Sequence, residues 1–258
     1  MSNFGETAIR ESIQSGIISR RDLYLIGKGD SGIESITQTI KTIFQCKDEE
    51  IGTGDYYLDL FLWHHPHALY RKDYSIWDSM VEAKRRGFTR GIGVSNVYKN
   101  GLIHLLRYCD AHQYDRPVAN EIEINLFNTE YDYVAFCQSN AIQVIAYSPL
   151  GYKNASIIPD LFPVISTIRK GTPYQVILAY LMQRGILVIP SSKNVSRIQE
   201  NFDSQRIELS PHDMELIRTH FIDNNDTITL TASDYKAQDY TLGKRKRRSK
   251  KVYRKKRN

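Results

Sequence analysis

Leu58-Asp59-Leu60-Phe61-Leu62-Trp63-His64-His65-Pro66 is an apolar run of strand length that stops on two imidazoles and a proline. Five other segments share the design: Tyr24–Lys28, Gly91–Asn96, Val118–Asn125, Val144–Ser148 and Leu187–Ser192 are short, apolar and end on residues able to do chemistry. Runs of this kind fit strands buried on both faces. Helix-length stretches separate them, which predicts a parallel sheet with helices packed over it. The polar strand ends then gather on one rim, where such folds keep their active sites.

Outward from the strands, the helices are legible as well. Glu6 to Ser15 reads as an amphipathic helix, with Ile9 and Ile13 four apart and Ser15-Gly16 closing it. Ile33, Ile36, Ile40 and Ile43 define one face of a helix over 33–44. Further helices are predicted over 76–86 with Gly87 as C-cap, 102–111, 131–139, and from Pro173 at a first turn through Gln183 with Gly185 beyond. A short helix is expected over 196–202, and Ser210-Pro211 opens another. The first strand is placed at Leu23–Ile26, ending in Gly27-Lys28-Gly29. Six strands are visible, whereas a closed (β/α)8 barrel needs eight, and the chain begins on a helix. The expectation is therefore one α/β domain of about six β/α units, with two units missing from the front and two sheet edges that need covering.

The chain of 258 residues is long enough for a single large core. Its 41% hydrophobic and 25% charged content is that of a soluble globular protein. No window approaches a membrane span, and the N-terminus lacks a secretory signal, so a cytoplasmic location is the default. Cys46, Cys109 and Cys137 form no CxxC or CxxxxH pairing, which fits reduced, mostly buried thiols rather than a disulfide framework or a zinc site.

The formal charge of +6 conceals two regions. Residues 244–258 hold eleven Lys or Arg and no acid, which leaves 24 basic and 29 acidic side chains before them, a net of −5. A block of like charge with little to bury is expected to be disordered. Residues 223–258 are accordingly read as a polar and basic tail following a domain over 1–222. Lys244–Arg248 has the composition of a nuclear-targeting or nucleic-acid patch, which would bring a nucleic acid or an import receptor as partner and a nuclear location; a plain solvated tail is the alternative.

Four collinear stretches resemble the aldo-keto reductases: Leu58 to Pro66, Gly91-Ile92-Gly93-Val94-Ser95-Asn96, Ala146-Tyr147-Ser148-Pro149-Leu150-Gly151, and Ile189-Pro190-Ser191-Ser192 with Arg197, Glu200 and Asn201. The resemblance runs from about Glu6 to Phe221. It implies a TIM-type (β/α)8 barrel that uses NADPH, with NADH second, to reduce an aldehyde or ketone through an Asp, Tyr, Lys and His tetrad. Lys28 and His64 match the Lys and His of that tetrad. Ser95 and Asn96 match the pair that holds the nicotinamide carboxamide, and Tyr147 the aromatic that stacks on the ring. The third carboxamide partner, usually Gln, is Glu121, which accepts but cannot donate. Ser148 and Leu150 match the pyrophosphate channel. At the adenosine end Arg197, Glu200 and Asn201 match the residues around the 2′-phosphate and adenine, Ser191 and Ser192 follow Ile-Pro, and Lys193 stands in for a basic residue often found at Ser191.

The family's segment with the catalytic Asp and Tyr would precede the helix at Glu6, which puts the Tyr near Ser2 or Asn3 and the Asp before Met1; neither is present. A start codon placed too late, a decayed gene and retention for a non-catalytic task each account for that. His65 is expected to line the substrate pocket, and His67, His104, His112, His212 and His220 to be surface or helix residues. A metal site of His64, His65 and His67 is set aside, because neighbours on a strand alternate faces and His67 lies past a proline. The two functional readings are a carbonyl-reducing oxidoreductase acting on a small carbonyl substrate and a non-catalytic NADPH-binding or scaffold protein.

Overall fold

The computed structural model describes residues 4–151, 163–168 and 170–224. The basic run at 244–258 lies outside them. Six strands, β1 (Ile26–Gly29), β2 (Leu58–Trp63), β3 (Thr89–Ser95), β4 (Ala119–Glu123), β5 (Gln143–Tyr147) and β6 (Leu187–Val188), form one parallel sheet in chain order. The connections are helices α1 (Phe4–Gln14), α2 (Ile33–Phe44), α3 (Ser75–Arg85), α4 (Lys99–His112), α5 (Tyr131–Ser139), α6 (Pro163–Thr167) and α7 (Pro173–Gln183), followed by α8 (Val195–Asp203) and α9 (Pro211–Asn224). Among the described residues the sheet is open, with β1 and β6 at its edges.

The helices form for the reasons the pattern supplies. Along α2, Ile36, Ile40 and Ile43 are buried, and the helix stops where Gln45 turns into the left-handed region and donates to the Lys41 carbonyl. Thr172 caps α7 by accepting from the Gln175 N–H while the Gln175 side chain accepts from the Thr172 N–H, with Pro173 at the first position. α6 also starts on a proline, where the missing N–H costs nothing, in a stretch expected to be loop.

Strand β1 begins later than the sequence suggests. Asp59 takes the Leu25 N–H on its side chain at 2.7 Å and bonds the buried Arg20 guanidinium at 2.8 Å, so the Leu25 donor goes to Asp59 and the ladder opens at Ile26. The helix-facing side of the sheet holds the large core, with Phe61, Trp63, Ile92 and Val94 fully buried. On the opposite side Leu60, Leu62, Ala119 and Ile145 make a second, smaller cluster. Gly93 lies between them, where a Cβ would come within 2.5 Å of the Ala119 carbonyl oxygen and 2.7 Å of Leu62, so only glycine lets the strands approach this closely. Strand register puts Lys28, Leu62 and Gly93 side by side on that face, and Ser95 beside Glu121 one step nearer the rim.

Candidate functional site

The carboxyl ends of β1 to β5 bring Lys28, His64, Ser95, Asn96, Glu121 and Tyr147 together. The Lys28 Nζ donates to Glu121 Oε1 at 2.8 Å across the face of the sheet, with the Glu121 side chain 3% and the Lys28 side chain 34% exposed. Glu121, whose sequence match suggested only a weakened carboxamide contact, is thus the counter-ion of Lys28. A buried carboxylate needs such a partner, since desolvating it alone costs several kcal/mol.

Asn96 organises the next position. It sits at φ 58°, a region that Asn tolerates better than most residues, because β3 has ended and the chain must turn. Its Nδ2 donates to Ser95 Oγ at 3.1 Å and to the His64 carbonyl at 3.4 Å, and its Oδ1 accepts from the Tyr147 hydroxyl at 3.0 Å. Ser95 Oγ in turn donates to the Glu121 carbonyl at 3.0 Å. Tyr147 is half-buried, tethered at its hydroxyl, and carried at the end of β5. Beyond it Ser148, at φ 47°, presents its carbonyl to the Gly151 N–H at 2.8 Å and to Asn125 Nδ2 at 3.2 Å; Leu150 packs on the core.

His64 leaves β2 with its N–H on the Gly29 carbonyl at 3.0 Å. Burial, then the neighbouring His65 and Lys28, hold its imidazole below the usual range, so the ring is neutral near pH 7. His65 stacks on it at 3.7 Å between centroids and is joined to Asp30, whose Oδ2 lies 2.8 Å from His65 Nδ1 and whose Oδ1 accepts the His65 N–H at 2.6 Å.

The residues that the resemblance assigns to the adenosine end are arranged differently. Ser191, Lys193 and Arg197 are exposed, and Ser192, Glu200 and Asn201 half-buried. Asn194 caps α8 through the Arg197 N–H at 3.1 Å, and the Arg197 side chain faces solvent. The Glu200 carboxylate accepts from the Thr172 hydroxyl, and its carbonyl accepts from Gln175 Nε2 at 3.0 Å, so Glu200 also docks α8 on α7.

Asn125 and Asp30 were missed as site residues. Asn125 closes one of the quoted apolar segments and is 2% exposed, so its position at a strand end was the available signal. Asp30 follows Lys28-Gly29 directly, so an acid just past a strand-end lysine was the available signal. Cys109 and Cys137 are free and buried, with burial pushing their thiols up to about 12 and about 11, as unreactive core cysteines should be.

An open parallel β/α sheet with a cation, an imidazole, a Ser-Asn pair and an aromatic on its carboxyl rim defines a class, the barrel-type β/α proteins with their polar residues at the strand ends. The aldo/keto reductase family pattern matches residues 6–222, and the chain belongs to that family. It is 32% identical over 245 residues to the aldo-keto reductase AKR2E4 of Bombyx mori, covering 88% of this chain and 76% of that one. An uncharacterised oxidoreductase of Schizosaccharomyces pombe is 35% identical over 210 residues, covering 81% and 72%. Among solved structures, AKR2E4 of Bombyx mori in complex with NADP superimposes with a TM-score of 0.68 at 28% identity, over 90% of this chain and 77% of that one. The NADPH complex of AKR2E5 gives 0.67 at 26%, over 83% and 69%.

Proposed function

We propose that this chain binds NADPH along the rim, with the nicotinamide at Ser95, Asn96 and Tyr147, and that a small aldehyde or ketone is reduced beside Lys28 and His64. The supporting observation is the Ser95–Asn96–Tyr147 network, buried and oriented next to the Lys28–Glu121 pair. When bound, the cofactor supplies a hydride to the carbonyl carbon, and the proton that completes the alcohol comes from solvent. The residues fit it: Tyr147 keeps a partly open ring fixed at its hydroxyl, and the Glu121 carboxylate and Asn96 Oδ1 offer acceptors to a carboxamide NH2. The Lys28 ammonium lies where it stabilises negative charge developing on a carbonyl oxygen, and the neutral His64 ring has one N–H to orient that oxygen. Lys193 and Arg197 are the cations for a 2′-phosphate, which favours NADPH over NADH.

One observation favours a second reading, a cofactor-binding protein without turnover. Lys28 is already committed to Glu121, so its ammonium is shared with a buried carboxylate before any substrate oxygen arrives. Calorimetric titration with NADPH and NADH, followed by NADPH absorbance in the presence of a panel of aldehydes, separates the two. Binding with multiple turnovers supports the reductase, binding without turnover the second reading, and no binding to folded protein removes both.

The division at residue 222 belongs to this proposal, as do the cytoplasmic location and the role of Lys244–Arg248 in nucleic-acid or import-receptor binding. No helix among the described residues is long and apolar enough to cross a membrane. Deletion of 244–258 with unchanged localisation and unchanged nucleic-acid retention would remove the tail's role.

A further inference from the structure

We propose that Asp30, His64 and His65 form a binding site for a divalent cation of the zinc class at the substrate end of the rim. The inference is independent of cofactor binding, because it uses none of the nicotinamide or phosphate contacts.

The argument starts at the end of β2. The strand stops at Trp63, so the alternation that would send consecutive side chains to opposite faces no longer applies to His64 and His65. Their rings lie over one another at 3.7 Å and 39°. Asp30 reaches the same point from the end of β1, its carboxylate aimed by the His65 backbone N–H at 2.6 Å. One ligand atom from each of the three residues lies within 4.8 Å of the others. His67, on the turn beyond Pro66, stacks farther out at 6.5 Å from His65 and belongs to no such cluster among the described residues.

The donor set identifies the ion. Two imidazole nitrogens and one carboxylate oxygen suit Zn2+, Ni2+ or Cu2+, while Mg2+ and Ca2+ require mostly oxygen. Zinc bonds of about 2.0–2.2 Å put tetrahedral ligand atoms roughly 3.3 Å apart. His65 Nδ1 and Asp30 Oδ2, 2.8 Å apart, open slightly and a His64 nitrogen within 4.8 Å joins them by side-chain rotation, which the 41% and 45% exposed side chains of His65 and Asp30 permit. The cation takes the place of the proton between His65 Nδ1 and Asp30 Oδ2, and that proton leaves to solvent. Three protein ligands leave the fourth position to water, beside the imidazole that faces the substrate end.

A plain Asp–His hydrogen bond is the competing account, and titration calorimetry separates them. ZnCl2 titrated into the full chain, stripped with chelator and kept reduced, is expected to show one saturable site per chain, with MgCl2 giving none. Asp30→Asn and His65→Ala each weaken the site at least tenfold, the scale on which losing a coordinating or orienting group acts. His212→Ala, on the exposed side of α9, leaves it unchanged. Circular dichroism establishes the fold of each variant. Absence of a saturable zinc site, its survival in both variants, or equal loss in His212→Ala overturns the proposal. Titration of the same preparation with NADPH reports separately on the cofactor reading.

Discussion

The two ends of the proposed cofactor path are built in opposite ways. At the nicotinamide end Ser95, Asn96 and Glu121 are 1%, 6% and 2% exposed, and each is held by hydrogen bonds from a different strand end. At the adenosine end Lys193 and Arg197 are exposed, while α8 itself is fixed by the Asn194 cap and by Glu200 docked on α7. Burying polar groups is tolerable only when each finds a partner, so the first end takes its geometry as the chain folds. Exposed cations ask nothing of the fold and act only when a ligand arrives. The first end therefore couples binding to stability, and the second leaves them separate.

Asn96→Ala should break this contrast most visibly. It removes the acceptor of the Tyr147 hydroxyl and puts an alanine at φ 58°, for a loss of about 3 kcal/mol from left-handed strain and lost bonds together. Urea denaturation should show a lower midpoint, with NADPH binding weakened in parallel. Arg197→Ala should do the reverse: stability within about 0.5 kcal/mol of wild type, NADPH affinity down roughly 10- to 100-fold and NADH affinity unchanged. A denaturation midpoint that moved with Arg197 would show that the two ends are not separable.

Glu121→Gln tests how the nicotinamide end is tuned. Glutamine offers the donor that the carboxylate lacks, so NADPH should bind about fivefold tighter, the value of roughly one neutral hydrogen bond. Weaker binding would mean that the Lys28–Glu121 pair holds the site in shape.

The smallest effect expected is the pH dependence of His64. Its ring titrates below the ordinary value of about 6.5, first because of burial and then because of His65 and Lys28. Between the depressed folded value and about 6.5 the unfolded chain binds more protons, so stability falls as pH drops through that window and levels off below it. Denaturation midpoints at pH 7.5 and 5.5 should differ less in His64→Gln than in wild type. A histidine NMR titration should place the His64 midpoint below 6.5.

Much of the fold was legible because helix signals are local. The ends of α2, α5 and α7 fall where the isoleucine spacing, the Tyr131–Ser139 pattern and the Pro173 and Gly185 signals put them. Strand limits were less so: β1 starts at Ile26 because a side chain 34 residues away takes the Leu25 N–H, and no pattern near Leu25 encodes that. Lys28, His64, Ser95, Asn96 and Tyr147 were named because they lie at or next to the ends of apolar segments and match family motifs. Asn125 ends one too, yet its bond to Ser148 spans 23 residues and was invisible.

By itself the sequence determined the order of strands and helices, the rim that carries the chemistry and the family, since periodicity, caps and strand-end residues act over a few positions. Tertiary structure alone decided the pairings on that rim. The Lys28–Glu121 ion pair joins residues 93 apart, and Asp30 meets His65 across 35. Strand register and the turn out of β2 set those distances, and Coulomb and hydrogen-bond energies depend on distance in space, not on separation along the chain.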